Sequence, residues 1–196
     1  MEENKMQEAG TDLKEKRRPV SAKKLALMAV FVALSYGVSF LEIPIFPVAP
    51  FLKLDLGNVF ILLIGFLLGP IEGIIVCALK ESLRLIGSSS GGVGELANML
   101  VTTSYIAVPT IVYRFRKGLK SVTLSLVAAC FVGVGAALLA NRFINFPLYM
   151  GKGAAASFKE FFGVIVAFNF IKTVSVGVIC FALYKRLSNF LKKIKI

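Results

Sequence analysis

The sequence predicts an all-α integral membrane protein, a bundle of six transmembrane helices with both the N and C termini in the cytoplasm. Two observations carry that prediction. First, 57% of the 196 residues are hydrophobic and the mean hydropathy is +0.79, whereas soluble domains are usually about 45–50% apolar. The excess lies in long runs separated by short polar stretches, the pattern of a chain built for lipid. Second, positive charge has fixed addresses. Net charge is +12; Met1–Lys24 holds seven Lys/Arg, Arg114–Lys120 four and the chain from Lys185 five, sixteen of the 23. Lys and Arg stay on the cytoplasmic side of a membrane, so these segments share that side and even numbers of spans separate them. The basic excess therefore reads as topology, and no nucleic-acid partner is expected.

Three regions follow: a cytoplasmic tail over 1–24, a transmembrane domain over 25–184 and a basic cytoplasmic tail over 185–196. The first tail is charged and contains Pro19, so it is neither a signal peptide nor a span. Span one covers Leu25–Leu41. The loop that follows carries Pro44, Pro47 and Pro50, which forbid regular helix, yet also Ile45, Phe46, Val48 and Phe51. An ordered, partly apolar outer loop is expected. Apolar runs Leu56–Leu68 and Ile71–Ile86 flank a Gly69-Pro70 turn. Each is short of the roughly 20 residues of a straight span, so they form two spans or a re-entrant hairpin; either returns the chain to the outside. Gly87–Gly94, GSSSGGVG, is flexible by composition. Span four covers Glu95–Tyr113. Span five covers Val122–Asn141 and is rich in Ala and Gly, which permit close helix approach in lipid. An outer segment Arg142–Lys159 leads to span six, Phe161–Tyr184.

Several chemistries are excluded. There is no His, and Cys77, Cys130 and Cys180 each sit alone in an apolar run, so neither a zinc site nor a disulfide framework is expected. Gly151–Ser157, GKGAAAS, lacks the GxxxxGK[ST] spacing and follows no strand. Energy for uphill transport would come from a partner or an ion gradient. Few carboxylates lie in the apolar runs, which argues against an enzyme.

A Lys at mid-membrane costs about 2.5–3.5 kcal/mol on an insertion scale. Lys172 lies deep in span six with Asn169 three residues earlier on the same face. Asn141 ends span five, Glu95 and Asn98 open span four, and Lys80, Glu81 and Arg84 lie late in span three. In the topology above all fall toward the outer side, Asn169 about 12 Å deep at 1.5 Å per residue. They converge on a cavity open outward, covered by the proline-rich loop and Tyr149, fit for a small, partly polar ligand. Two bland readings stand beside this. Asn169 and Lys172 can form a structural clamp between helices. Lys80, Glu81 and Arg84 can form an interfacial ion-pair cluster whose long side chains snorkel to water.

Three stretches carry a family resemblance: GVGELANML at Gly92–Leu100, NRFINFPLY at Asn141–Tyr149, and FNFIKTVSVGVICFALYKRLS at Phe168–Ser188. Over residues 23–191 the chain resembles the substrate-binding S-component of an energy-coupling factor (ECF) vitamin transporter, most closely the riboflavin-specific type. The GPIEG turn at Gly69–Gly73 is similar to one found across S-components. The resemblance implies six helices in a prokaryotic plasma membrane and a pocket near the outer face closed by the first outer loop. It implies riboflavin as transported ligand and no attached cofactor. In riboflavin S-components an Asn ending helix five and an Asn-x-x-Lys in helix six hydrogen-bond the flavin, and these motifs fall on Asn141, Asn169 and Lys172. Asn supplies a donor and an acceptor together, as an imide flanked by carbonyls requires. Leu96, Tyr149, Phe168 and Phe170 are candidate apolar walls, and Glu95 and Asn98 further substrate-binding residues.

The resemblance also implies a membrane scaffold subunit and two ATP-binding subunits, docked through an AxxxA pattern on helix one. Ala29 and Ala33 match it, with Ala22 and Ala26 continuing the spacing. It implies transport by toppling of the S-component in the membrane. Lys152 and Lys159, on the outer segment, leave FMN open as an additional ligand. Two other functions compete: an S-component for another vitamin, and a solitary ion-coupled carrier in which Lys172 and Glu95 titrate.

Overall fold

The structure, a computed structural model, describes residues 21–88 and 90–193. It is mostly helical. Helix α1 spans Ala22–Ser39, α2 Asn58–Leu68, α3 Pro70–Arg84, α4 Val93–Phe115 and α5 Leu119–Ala140. A π-helical turn at Asn141–Asn145, a five-residue helix α6 (Phe146–Met150) and a 3-10 turn at Gly151–Gly153 lead into α7, Ala154–Lys193. Ala22–Ser39, Val93–Phe115 and the stretch Leu119–Tyr184 are long and apolar enough to cross a membrane.

Helix α2 is apolar on every side, and Ile61, Leu62, Leu63 and Ile64 are all buried. Such a helix belongs inside a bundle, and α2 is enclosed by α1, α3, α4 and α7. At 11 and 15 residues, α2 and α3 are about 16 and 22 Å long at 1.5 Å per residue. Their hairpin turns at Gly69, whose φ of 132° excludes most side chains, with Pro70 opening α3. The two helices then touch backbone to backbone: a Cβ on Gly73 would stand 3.2 Å from Gly65 Cα. A Cβ on Gly65 would stand 2.7 Å from Thr110 Cγ2 of α4. Helices α4, α5 and α7 pack alongside, where Gly133 admits Thr173 and the Tyr105 hydroxyl donates to Thr173 O at 2.9 Å.

The two ends of the bundle differ. At one, Lys24 pairs with Glu72 and binds the start of α1 to the first turn of α3. There too Phe66, Tyr113 and Tyr184 form an edge-to-face cluster, and the two tyrosine hydroxyls share a hydrogen bond. At the other end lies the loop between α1 and α2. It is ordered, as its apolar content predicts, and it folds as a small antiparallel hairpin. Strand β1 (Ile43–Pro44) pairs with β2 (Lys53–Leu54), Ile43 opposite Leu54. Ala49 and Leu52 turn inward and pack with Phe146, Phe168 and Ile165, so the hairpin caps the bundle.

Four boundaries differ from expectation. The tail 1–24 lies mostly outside the described residues, but Lys23 and Lys24 already belong to α1. Arg142–Lys159, read from the sequence only as a segment joining spans five and six, has regular structure of its own. It is helical almost throughout, because Phe146, Ala154 and partly buried Phe158 seat it on the hairpin cluster. Helix α7 consequently starts at Ala154 rather than Phe161, and it continues past Tyr184 to Lys193. Its 40 residues span about 60 Å at 1.5 Å per residue, more than the roughly 40–45 Å of a bilayer with its headgroups. Of the tail 185–196, residues 194–196 lie outside the described residues.

Candidate ligand-binding site

At the hairpin end the helices enclose a cavity of about 470 Å³, within the roughly 300–1,000 Å³ of small-molecule sites. Part of its lining is apolar: Leu52 from the hairpin, Ala97 and Val101 from α4, Phe146 from α6 and Phe168 from α7. Polar side chains are interleaved with it, among them Asn141, Asn169 and Lys172. Asn141 follows α5, Asn169 and Lys172 lie on α7, and the three meet because α5 and α7 pack side by side. A mostly apolar ligand with several polar groups fits this mixed lining.

The asparagines are partly committed. Asn141 Nδ2 donates to Ala137 O at 2.8 Å and Asn169 Nδ2 to Ile165 O at 2.9 Å, each the carbonyl four residues back. Each amide thereby fixes its rotamer on its own helix and keeps hydrogen-bonding capacity in reserve. Asn145 Nδ2 donates to Asn141 Oδ1 at 3.1 Å from the π-helical turn. The extra residue of that turn rotates the chain after Asn141 so that Asn145 and Phe146 also face the cavity.

Lys172 is 8% exposed, and its ammonium donates to Asn98 Oδ1 at 2.5 Å. An ammonium has three donors, and among the described residues this is the one hydrogen bond it makes. Asn98 passes the connection on, donating from Nδ2 to Glu81 Oε1 at 2.6 Å. Lys80 donates to the same oxygen at 2.6 Å and pairs with Asp55. Two ammoniums and two carboxylates thus share one buried cluster. Isolated buried charges are costly, and pairing with hydrogen bonding offsets much of that cost.

The snorkelling expected of Lys80 and Glu81 is not seen: Lys80 is 0% exposed and Glu81 is buried. Asp55 pairs with Lys80 and holds it inward, and Lys80 in turn holds Glu81; Asp55 is the residue the sequence reading left without a role. Its signal was present, a carboxylate between Leu54 and Leu56 at the edge of an apolar run. Arg84 behaves differently. It sits at the cavity mouth, donating to Ser39 O at 2.8 Å and to Glu42 at 2.7 Å, and Glu42 also accepts from Lys53 of β2 at 2.5 Å.

Glu95 and Tyr149 complete the rim. Glu95 lies in the first turn of α4, where the helix dipole favours a carboxylate. Its Oε2 accepts from Ser88 Oγ at 2.8 Å and Ser90 Oγ at 2.6 Å. Those hydroxyl oxygens in turn accept from the Gly92 and Gly94 backbone N–H groups, both at 3.0 Å. The glycine–serine segment, read as flexible from composition, is therefore pinned at Ser88 and Ser90. Tyr149 is 52% exposed and donates its hydroxyl to Ser90 O at 3.0 Å.

Two wall candidates are corrected. Leu96 is 42% exposed and Phe170 47% exposed, and neither lines the cavity. Helical geometry gives the reason. The inward residues of α4 are Glu95, Ala97, Asn98 and Val101, and at 3.6 residues per turn Leu96 falls on the opposite side; Phe170 stands likewise to Phe168 and Lys172. Lys152 and Lys159 are exposed outside the cavity. Among the described residues no cluster of metal-ligating side chains occurs.

A helical membrane bundle with one deep, mixed-polarity cavity under a capping hairpin is the build of a solute-binding membrane protein. The family comparison makes the class specific: the model of the ECF transporter, substrate-specific component, matches residues 23–190. The chain belongs to this family, a multi-pass plasma-membrane family of transporter subunits rather than enzymes. It is 32% identical over 177 residues to the riboflavin transporter RibU of Staphylococcus aureus, covering 88% of this chain and 94% of that one. It is 29% identical over 166 residues to the RibU of Leuconostoc mesenteroides, covering 78% and 84%. With the riboflavin transporter FmnP of Bacillus subtilis it shares 27% over 135 residues, 67% and 68%. A solved structure of the S component of a bacterial ECF transporter superposes with a TM-score of 0.75 at 32% identity, covering 87% of this chain and 98% of that one.

Proposed function

We propose that this chain is the high-affinity riboflavin-binding S-component of an ECF transporter and mediates riboflavin uptake. The observation that carries the reading is the convergence of Asn141, Asn169 and Lys172 with Phe146 and Phe168 in one cavity. The names of the three relatives agree with it. The isoalloxazine ring lies against the two phenylalanines, and its imide edge meets the amides and the ammonium. Glu95, Asn98 and Tyr149 serve the remainder of the ligand. Of the residues proposed from sequence, Leu96 is withdrawn as a wall. FMN loses its support from Lys152 and Lys159, which stand away from the cavity.

In this reading residues 25–184 form the substrate-binding domain, with six spans and both termini in the cytoplasm. The hairpin and cavity face outward and the Tyr113–Tyr184 end faces the cytoplasm. A cysteine at position 88 or 152 is then expected to react with an impermeant thiol reagent from outside, and one at 117 or 192 to stay unlabelled in sealed cells. Outside labelling at 117 would sink the six-span arrangement.

The partners are a membrane scaffold subunit and two ATP-binding subunits. Helix α1 supports a docking role: Ala22, Ala26, Ala29 and Ala33 are all exposed, forming a small-residue stripe along its outer face. Reconstitution in liposomes is the test. Riboflavin uptake is expected only with the scaffold, both ATPases and ATP present. Uptake by this chain alone under a pH gradient would make it a solitary ion-coupled carrier.

A further inference from the structure

Lys80 has no role in the ligand site as drawn so far. It does not line the cavity, its ammonium is wholly buried, and it lies on α3. Its contacts reach in two directions. Through Asp55 it reaches the base of the capping hairpin: Asp55 follows β2 directly, and its Oδ1 accepts from Gly57 N at 2.8 Å. Gly57 O accepts from Ser35 Oγ of α1 at 2.8 Å, so this turn is held to α1 as well. Through Glu81 it reaches the site. Glu81 Oε1 accepts from both Lys80 and Asn98, at 2.6 Å each, and Asn98 Oδ1 accepts from Lys172 at 2.5 Å.

The hub of this chain is Asn98. Its oxygen takes donors from Lys172, Asn58 and Thr102, and its amide nitrogen donates to Glu81 and, at 3.4 Å, to Asp55. Which way the Asn98 amide faces is therefore decided by the carboxylate pair. Two carboxylates this close need a cation between them, and that cation is Lys80. Without it the carboxylates would draw Lys172, whose ammonium already reaches the same Asn98.

We infer that Lys80 is a positioning residue for ligand capture: by holding Asp55 and Glu81 together it keeps Asn98 oriented and leaves Lys172 available to the ligand, while tying the capping hairpin to the same network. The inference rests on the riboflavin reading of the cavity. It also explains why a fully buried cation is placed where a hydrophobic residue would pack at least as well.

The test is a double-mutant cycle on riboflavin affinity, read by quenching of flavin fluorescence on the purified full chain, with thermal unfolding followed in parallel. The variants are Lys80→Met, Lys172→Met and the pair. If Lys80 acts through Lys172, Lys80→Met raises the dissociation constant about tenfold in the parent and less than about twofold once Lys172 is Met, since coupled residues of one network are non-additive. A purely structural Lys80 would lower thermal stability and shift affinity by the same factor in both backgrounds, and that result overturns the inference. Should Lys80→Met not yield folded protein, Lys80→Gln, which removes the charge but keeps a hydrogen-bond donor, takes its place in the cycle under the same criterion. A parent that binds no riboflavin would defeat the functional reading itself, an outcome distinct from additivity in a parent that binds.

Discussion

Lys172→Met is expected to raise the dissociation constant for riboflavin by roughly five- to a hundred-fold, the equivalent of about 1–3 kcal/mol for a buried polar group left unpaired. The substitution keeps the length and the apolar stem while removing the ammonium. In the structure that ammonium lines the cavity and, among the described residues, spends one donor on Asn98 and none elsewhere. Asn98 Oδ1 would still accept from Asn58 and Thr102, so the wall need not collapse. Asn169→Ala is expected to act in the same direction, since its amide sits one turn from Lys172 on the same face. Equilibrium titration with riboflavin measures both. If Lys172→Met binds like the parent and only thermal stability drops, Lys172 is a clamp between α4 and α7 and the site assignment fails. If affinity falls while the ligand-free protein becomes more stable, the lysine is held in an unfavourable place for the ligand's sake.

Ala29→Trp and Ala33→Trp are expected to abolish ATP-dependent uptake and leave riboflavin affinity within about twofold of the parent, since surface substitutions distant from a site couple weakly to it. Both alanines are exposed on α1, away from the cavity. In lipid, helices associate by close packing of small residues, and an indole on that face holds a partner helix off. Binding assays on the purified variants and uptake by the assembled transporter separate the two functions. Normal transport by both variants would remove α1 as the docking face.

The sequence made the bundle legible because lipid imposes one rule on every span: apolar side chains, with backbone polar groups satisfied inside the helix. It singled out Asn141, Asn169 and Lys172, which the structure brings to one cavity, for the same reason, since polar groups in apolar runs stand out. What it concealed depends on tertiary contact. Leu96 is as apolar as any wall residue, and only the side of α4 on which Asn98 lies shows that it faces away. Asp55 looks like a loop carboxylate until Lys80 comes beside it. The serines at 88 and 90 signal flexibility by composition, but the Glu95 carboxylate, seven and five residues later in the chain, gives their hydroxyls a common acceptor. The helical course of Arg142–Lys159 depends on Phe146 and Phe158 finding the capping hairpin, a contact between segments about a hundred residues apart.

The central claim is that this cavity holds riboflavin, and flavin spectroscopy of the detergent-purified chain tests it most directly. The account predicts protein that is yellow as isolated or takes up added riboflavin in equimolar amount, quenching its fluorescence, with the signal weakened in Lys172→Met. Colourless protein that neither retains flavin nor quenches added riboflavin, while folded by thermal unfolding, would contradict it.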